Sequence, residues 1–210
     1  MGKVCVRGFG VSIDGFGAGA DQSLEHPLGK GGPALHNWFY PTRAFRSMIG
    51  QDGGTEDRFA EAANRGFGAF ILGRNMFGPA GDNWGGPDWK GWWGDDPPYH
   101  APTFILTHHP RDPIVMEGGT TFHFVTDGIE SALAQAKAAA GDLDVKIGGG
   151  VSTVRQYLLA GAIDEMHLAL SPVLLGRGEA LFTDIDLPGL GYRVAEVVPT
   201  ELATHLVLTR

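Results

Sequence analysis

Cysteine is scarce in this sequence, and its scarcity excludes two kinds of structure. The 210 residues include one cysteine, Cys5, so the chain forms no internal disulfide, and a zinc site built from several cysteines is excluded. A chain without disulfides suits a reducing compartment, and we therefore expect a cytoplasmic protein. Long apolar runs are also missing, since no segment approaches the roughly 18 apolar residues of a membrane helix. We expect no membrane partner.

Basic residues are outnumbered by acidic ones, which excludes another class of partner. The chain has 16 lysines and arginines against 24 aspartates and glutamates, for a formal net charge of -8. An acidic chain without a basic block lacks the surface that attracts a nucleic acid. Any phosphate group must then be bound locally, by a few arginines and backbone N–H groups. Glycine, in contrast, is abundant at 33 residues, which is typical of a compact fold with many tight turns.

The hydrophobic pattern predicts one α/β domain over residues 1–210. Strands and helices alternate in the middle of the chain, and strands alone close it. Strands are predicted at 3–12, 69–72, 103–107, 121–125 and 145–147, followed by an apolar stretch at 166–175 and an antiparallel hairpin between 192 and 209. Helices are predicted at 35–40, from the N-cap Thr55 to Gly66, from the capping-box pattern Asp127-Gly-Ile-Glu130 to 140, and at 151–160. The glycine-rich segment 13–33 is predicted to be a mobile loop, and the tryptophan-rich segment 78–102 an ordered one.

Three strand-to-helix junctions carry small or polar residues at the position where ligands of α/β proteins bind. They are residues 73–75, 107–109 and 148–150. The third junction is Gly148-Gly-Gly150, and it leads directly into the predicted helix at 151–160. Glycines allow the backbone to approach a ligand closely, and a helix N-terminus offers unpaired N–H groups to a pyrophosphate. The third junction therefore predicts a cofactor phosphate site.

Two other motifs invite a functional interpretation that their surroundings do not favour. Gly15-Phe-Gly17-Ala-Gly19 follows the first strand, as a dinucleotide-binding turn does, but no amphipathic helix comes after it, so a lid or a turn is favoured. His108 and His109 are adjacent, and neighbours on an extended chain point to opposite faces. They have no acidic or cysteine partner at metal-ligand spacing, and we expect no metal site there.

Taken in order, the junctions resemble the dihydrofolate reductase superfamily, and specifically the reductase domain similar to the C-terminal half of the bacterial bifunctional riboflavin deaminase-reductase. The matching stretches span nearly the whole chain: Ser12-Ile-Asp-Gly15, Leu72-Gly-Arg-Asn-Met-Phe77, Leu106-Thr-His-His-Pro110, Val145-Lys-Ile-Gly-Gly-Gly150, Ile163-Asp-Glu-Met-His167, Pro172-Val-Leu-Leu-Gly176 and Leu181-Phe182. The resemblance implies a mixed, mainly parallel sheet flanked by helices, with NADPH across the strand ends. It also implies hydride transfer to a C=N or C=O of a small heterocycle, as in 5-amino-6-(5-phosphoribosylamino)uracil reductase.

The resemblance assigns roles to individual residues. Those implied for the cofactor fall into four groups: Gly73, Arg74 and Asn75 at the adenosine-side phosphates, with Arg74 on the 2′-phosphate; Thr107 and His108 along the adenosine half; Gly148, Gly149, Gly150, Val151 and Ser152 at the pyrophosphate; and Ser12, Asp14 and Gly15 near the nicotinamide. The domain departs from the bifunctional enzyme because one cysteine cannot build the zinc site of the deaminase half. It departs from dihydrofolate reductases proper because residues 34–50 contain no acidic residue.

The remaining predictions concern the proton, the substrate and assembly. The reduction needs a proton, which Asp14 or a water that it holds would supply, although Ile-Asp-Gly is also an ordinary turn. Trp84, Trp92 and Trp93 would cover the substrate ring or serve only as packing. A pterin-type reductase, or a nucleotide-binding protein without turnover, remains the alternative function. The apolar stretch 166–175, expected at a sheet edge, predicts a homodimer.

Overall fold

The structure is a computed structural model that describes residues 2–55, 57–78, 86 and 88–210. Its strands are β1 (Val4–Ser12), β2 (Phe16–Gly19), β3 (Phe67–Gly73), β4 (Pro102–Leu106), β5 (Ile114–Val115), β6 (Thr121–Val125), β7 (Asp144–Gly149), β8 (Glu165–Ser171), β9 (Gly178–Ala180), β10 (Arg193–Pro199) and β11 (Thr204–Thr209). Its helices are α1 (Arg43–Met48), α2 (Arg58–Ala62), α3 (Arg74–Phe77), α4 (Ile129–Ala140) and α5 (Val151–Leu159), with short 3₁₀ turns at Gly32–His36 and Glu117–Gly119.

Nine of these strands form one sheet, in the order β10-β11-β8-β1-β7-β3-β4-β6-β5. The six central strands from β8 to β6 run parallel. Strands β10 and β11 pair antiparallel with each other, and β11 pairs antiparallel with β8. The predicted mixed, mainly parallel α/β fold with an antiparallel C-terminal hairpin is therefore confirmed. Strands β2 and β9 form a separate two-stranded ribbon.

Both faces of the sheet are covered, which explains why its central strands are apolar at successive positions. Phe70, Ile71 and Leu72 in β3 are all almost fully buried. Helices α4 and α5 cover one face, and α4 presents alanines such as Ala132 and Ala136 to it. The opposite face packs against a smaller cluster that includes Trp38. Within the described ranges, no helix is long and apolar enough to cross a membrane.

A buried pair of histidines lies on that second face. His167 on β8 accepts a hydrogen bond at Nδ1 from the backbone N–H of Gly8, at 3.1 Å. Its Nε2 must then carry the proton, and it donates to Nδ1 of His205 on β11 at 3.0 Å. The Phe59 ring stacks on both imidazoles, with centroids 4.4 and 4.3 Å away. Burial lowers the pKa of His167 to about 3, so the pair is neutral at pH 7.

Two predicted segments have a different structure from the one expected. Segment 13–33 is not a structureless loop, because it contains β2 and the start of the 3₁₀ turn at Gly32. Glycine at position 19 allows two backbone segments to pack closely, because a Cβ there would lie 2.1 Å from the carbonyl oxygen of Lys30. The expected strand at 166–175 is β8, but it does not lie at a sheet edge. It pairs with β1 and β11, and the described outer edge on that side is β10.

The predicted helix starts were also wrong in detail. Asp57, and not Thr55, caps α2, and its Oδ1 accepts from the N–H groups of Phe59 and Ala60 at 2.9 Å. Helix α4 begins after Gly128 without a side-chain cap. Asp127, predicted to cap it, instead accepts a hydrogen bond from Thr126. A capping pattern gives a local preference, which the direction of the incoming chain overrides.

Candidate functional site

A cleft of about 540 Å³ lies where four neighbouring parallel strands end. Residues at the carboxyl ends of β7, β3, β4 and β6 line one half of it, together with the start of α5. This is the edge at which open α/β sheets bind ligands, and the volume is in the usual range for small-molecule sites. We call this half the nucleotide half; it is lined by residues 73–76, 106–109, 125, 126, 128, 129, 148 and 150–153.

The glycine junction after β7 brings bare backbone to the cleft. Gly149 has φ of 127°, a conformation that side chains rarely adopt, and the Gly149–Gly150 peptide is cis. Gly150 is the N-cap of α5, and among the described residues no side chain caps this nine-residue helix. Its first N–H groups are therefore left for a ligand, and the helix dipole favours an anion there.

The junction after β3 packs directly against the glycine junction. Gly73 is the N-cap of α3, and a Cβ at this position would lie 2.4 Å from Oγ1 of Thr153 and 3.4 Å from the backbone nitrogen of Gly150. Any side chain at Gly73 would push α3 away from α5. The close contact places Arg74 and Asn75, the first two residues of α3, in the lining of the same cleft.

The junction after β4 completes the nucleotide half. The Thr107 hydroxyl accepts a hydrogen bond from the backbone N–H of His109 at 3.0 Å. The backbone N–H of Thr107 donates to the Val125 carbonyl at 3.1 Å. The bond with Val125 ties the end of β4 to the end of β6, and the bond with His109 holds the turn that follows β4. His108 follows in the lining. In the part of the chain that the structure describes, no three histidine, cysteine, aspartate or glutamate side chains are grouped to hold a metal ion.

The structure brings together most of the residues predicted for the cofactor. Those lining the cleft are Gly73, Arg74, Asn75, Thr107, His108, Gly148, Gly150, Val151 and Ser152. Gly149 lies between two of them without lining the cleft itself. The residues that the structure does not bring to the cleft lining are Ser12, Asp14, Gly15, Trp92 and Trp93. Trp84 lies outside the described residues.

The Asp14 carboxylate is engaged with the chain that follows β8. It accepts hydrogen bonds from the Ser12 hydroxyl at 2.5 Å and from the N–H groups of Leu175 and Gly176 at 3.1 and 2.7 Å. These bonds, the one from Ser12 foremost, lower the pKa of Asp14. A carboxyl that is held ionised in this way is a poor proton donor at neutral pH. The geometry suits an anchor for the loop between β8 and β9.

Replacing Asp14 by asparagine tests the anchor. An amide oxygen accepts a bond from one of the two loop N–H groups, but its NH₂ cannot accept from the other. If the cleft carries the NADPH-dependent reduction that the sequence resemblance implies, turnover should fall less than tenfold with NADPH affinity unchanged, since loss of a general acid costs on the order of 10² to 10⁴ in rate. Steady-state kinetics of Asp14→Asn measure this. A loss of that larger size would instead establish Asp14 as the proton donor.

Two described tryptophans of segment 78–102, Trp89 and Trp92, brace α3 from outside the cleft. The Trp89 indole donates to the carbonyl of Phe77 at 2.8 Å, and the Trp92 indole donates to the carbonyl of Asn75 at 3.3 Å. The two rings meet edge to face at 4.8 Å. Trp93 is 38% exposed. The contacts of Trp89 and Trp92 are those of packing groups that hold the junction carrying Arg74.

The other half of the cleft is lined by residues that were not predicted. We call it the substrate half, and its lining includes Gly17, Ala18, Pro27 and, as its larger side chains, Phe9, Gln22, Leu28, His36 and Glu179. Phe9 stands between the halves, because a Cβ at Gly17 would touch its ring at 2.7 Å and one at Gly149 would touch it at 3.4 Å. Gly8 and Gly10 also line the cleft. The backbone N–H of Gly8 is the donor to Nδ1 of His167, which lies on the other face of the sheet.

Comparison with known proteins identifies the family. The family model of the RibD C-terminal domain matches residues 5–206. The chain belongs to this family. It is a reductase domain, and the chain is therefore assigned to the oxidoreductases. The resemblance found in the sequence is confirmed.

Solved structures share the fold at low sequence identity. A putative riboflavin biosynthesis protein from Shewanella sp. PV-4 is 20% identical, with a TM-score of 0.60 over 100% of this chain and 99% of that one. The Thermotoga maritima diaminohydroxyphosphoribosylaminopyrimidine deaminase/5-amino-6-(5-phosphoribosylamino)uracil reductase is 12% identical, with a TM-score of 0.55 over 99% of this chain and 56% of that one. Among curated proteins, the uncharacterized protein YyaP of Bacillus subtilis (strain 168) is 34% identical over 62 residues. That match spans 30% of this chain and about a third, 32%, of YyaP.

Proposed function

We propose that residues 1–210 form one NADPH-dependent reductase domain that transfers a hydride to a C=N or C=O of a small heterocycle. The observation that carries this proposal is the nucleotide half of the cleft. Three strand-end junctions and an uncapped helix N-terminus meet there, beside a second half of the same cleft. Membership of a reductase-domain family supports the same chemistry.

The residues of the nucleotide half fit a dinucleotide phosphate. Gly148, Gly150 and the first N–H groups of α5 would hold the pyrophosphate, and Thr107 and His108 would line the adenosine half. Glycine at position 73 keeps α3 close to α5, and Arg74 at the first position of α3 would meet the adenosine ribose. A guanidinium there suits a 2′-phosphate, which distinguishes NADPH from NADH. When bound, NADPH supplies the hydride.

The chain's own part in the reaction is to align two rings and to exclude water. Phe9 separates the two halves, with Gly17 on one side and Gly149 on the other. The nicotinamide would lie at this boundary, against the bare backbone of Gly8 and Gly10. We propose that Ser12, Asp14 and Gly15, which lie outside the cleft lining, contribute by fixing the turn between β1 and β2.

Two measurements test the proposal. NADPH should quench the tryptophan fluorescence, because Trp89 and Trp92 pack on the helix that carries Arg74. A substrate from a panel of oxidised heterocycles should then cause loss of the reduced-nicotinamide absorbance. Saturable NADPH binding with no turnover on any member of the panel would favour a nucleotide-binding protein instead. No NADPH binding would exclude the reductase.

We also propose a homodimer, and we retain the cytoplasm as its expected location. Strand β8 is paired on both sides within the sheet, so its edges are not available to a second copy. We propose that the edge strand β10 forms the interface instead. Val194 and Val197 on β10 are 58% and 55% exposed, and an unpaired strand edge is a template for a second strand. Light scattering should give twice the chain mass of 22.3 kDa. Val197→Lys should shift the mass to that of the monomer, and a monomeric wild type would contradict the proposal.

A further inference from the structure

The substrate half contains three polar side chains whose hydrogen-bonding capacity is not fully used within the described chain. Gln22, His36 and Glu179 line it, and neither the Gln22 amide nor the Glu179 carboxylate makes a hydrogen bond or ion pair with a described residue. Nδ1 of His36 is buried without a hydrogen-bond partner. A buried polar atom is normally paired, so Nδ1 of His36 indicates a group that is kept for a ligand. The half-exposed Gln22 and Glu179 side chains line the same half and are available to the same ligand.

Three separate parts of the chain bring these side chains together. Gln22 follows β2, His36 ends the 3₁₀ turn Gly32–His36, and Glu179 is the middle residue of β9. Pairing of β2 with β9 places Glu179 opposite Ala18, which also lines the cleft. The 3₁₀ turn is held against the sheet by the Ser171 hydroxyl, which donates to the Leu35 carbonyl at 2.8 Å. The set is therefore fixed by the fold.

The chemistry of the three groups defines what they would bind. An ionised carboxylate only accepts hydrogen bonds, so Glu179 needs a ligand N–H or O–H. Burial lowers the pKa of His36, opposed by the nearby Gly32 carbonyl, so its ring is neutral at pH 7 and offers one donor and one acceptor. The Gln22 amide also offers both. Phe9 and Leu28 add apolar surface for a flat ring.

The same half is unfavourable for a phosphate. Glu179 would repel a second anion at close range. Lys30 and Arg177 lie two residues from Leu28 and Glu179, but both are paired with Asp21, at 2.8 and 3.5 Å. Arg74, the cation of the cleft lining described above, belongs to the nucleotide half.

We infer that Gln22, His36 and Glu179 form the substrate subsite, and that it takes an uncharged, unphosphorylated nitrogen heterocycle whose N–H groups bond to Glu179. This inference rests on the proposed function and narrows it. The substrate would differ by its missing phosphate from the one for which the Thermotoga maritima protein is named.

A matched pair of probes tests the subsite. They are 5-amino-6-(5-phosphoribosylamino)uracil and its dephosphorylated nucleoside, titrated by calorimetry against the chain with and without saturating NADPH. We expect the nucleoside to bind at least about tenfold more tightly, because like charges face each other when the phosphate is present. Equal binding, or tighter binding of the phosphorylated probe, would overturn the inference.

Variants of Glu179 give the sharper result. Glu179→Gln should weaken the binding of the nucleoside roughly tenfold, because hydrogen bonds to a charged group are stronger than those between neutral groups. Glu179→Lys should reverse the preference and favour the phosphorylated probe. Glu201→Gln, which removes the same charge from an exposed turn, is the control and should change neither affinity. An unchanged preference in Glu179→Lys would remove Glu179 from the subsite.

The affinity for NADPH separates this inference from the function on which it rests. All three variants should bind NADPH like the wild type, because Glu179 lies in the other half of the cleft. Normal NADPH binding with the wrong probe preference overturns the subsite and leaves the reductase intact. Failure of the wild type to bind NADPH overturns the proposed function, whatever the probes show.

Discussion

Arg74→Ala is expected to weaken NADPH binding roughly 10- to 150-fold while NADH binding stays nearly unchanged. The two cofactors differ by the 2′-phosphate, and a charge-assisted hydrogen bond to it contributes about 1.5–3 kcal/mol. Arg74 lines the cleft at the first position of α3, where Gly73 allows the helix to touch the glycine junction. Fluorescence titration with each cofactor at fixed salt measures both dissociation constants.

Two further variants separate recognition of the phosphate from other effects. Arg74→Lys keeps the charge but loses the forked guanidinium, so its NADPH affinity should lie between those of the wild type and the alanine variant. Arg65→Ala removes an exposed arginine outside the cleft lining and should leave the affinity for both cofactors unchanged. Equal losses for NADPH and NADH in Arg74→Ala would show damage to the fold instead of a lost phosphate contact.

Acid should destabilise this protein more steeply than its carboxylates alone would do, because of His167. The folded chain keeps this ring neutral down to a pKa of about 3, chiefly through burial and also through the neighbouring His205, Arg7, Lys146 and Arg58. The unfolded chain takes up the proton near the ordinary value of 6.5. Between these values the unfolded state binds the extra proton, so stability falls as the pH falls. Two pH units below 6.5 the loss is about 3 kcal/mol.

Urea unfolding at neutral pH and at about pH 4.5 measures this loss. His167→Gln keeps an acceptor for the Gly8 N–H but does not titrate, so its stability should depend less on pH. His26→Gln, a change of an exposed histidine, should leave the steep dependence in place. The burial of His205 lowers its pKa as well, so a small slope should remain in His167→Gln. A slope as steep as that of the wild type would contradict the assignment.

The nucleotide half could be predicted from the sequence because its signals are local. An apolar run followed by glycine and a polar residue marks the end of a buried strand, and parallel strands end at the same edge. Gly73, Thr107 and Gly150 therefore fall in one cleft, as the pattern indicated. The family resemblance then added the roles that residue types alone could not give.

The substrate half could not be predicted because its residues meet only through long-range contacts. Strands β2 and β9 are four and three residues long, rich in glycine, and separated by most of the chain. Neither has an alternation that predicts a strand, and nothing local links Glu179 to His36. The position of β8 was missed for a related reason. An apolar run shows that a strand is buried, but it does not show which strands lie beside it.

The ribbon of β2 and β9 has a consequence for how the domain can change in evolution. Glu179 stands on a strand that belongs to no part of the nine-stranded sheet, and its side chain makes no hydrogen bond or ion pair that the described structure would lose. Glutamate and lysine codons differ by a single base. If Glu179 recognises the substrate as inferred, a lineage would exchange a neutral substrate for a phosphorylated one in one mutational step, while the residues proposed for the cofactor stay under separate selection.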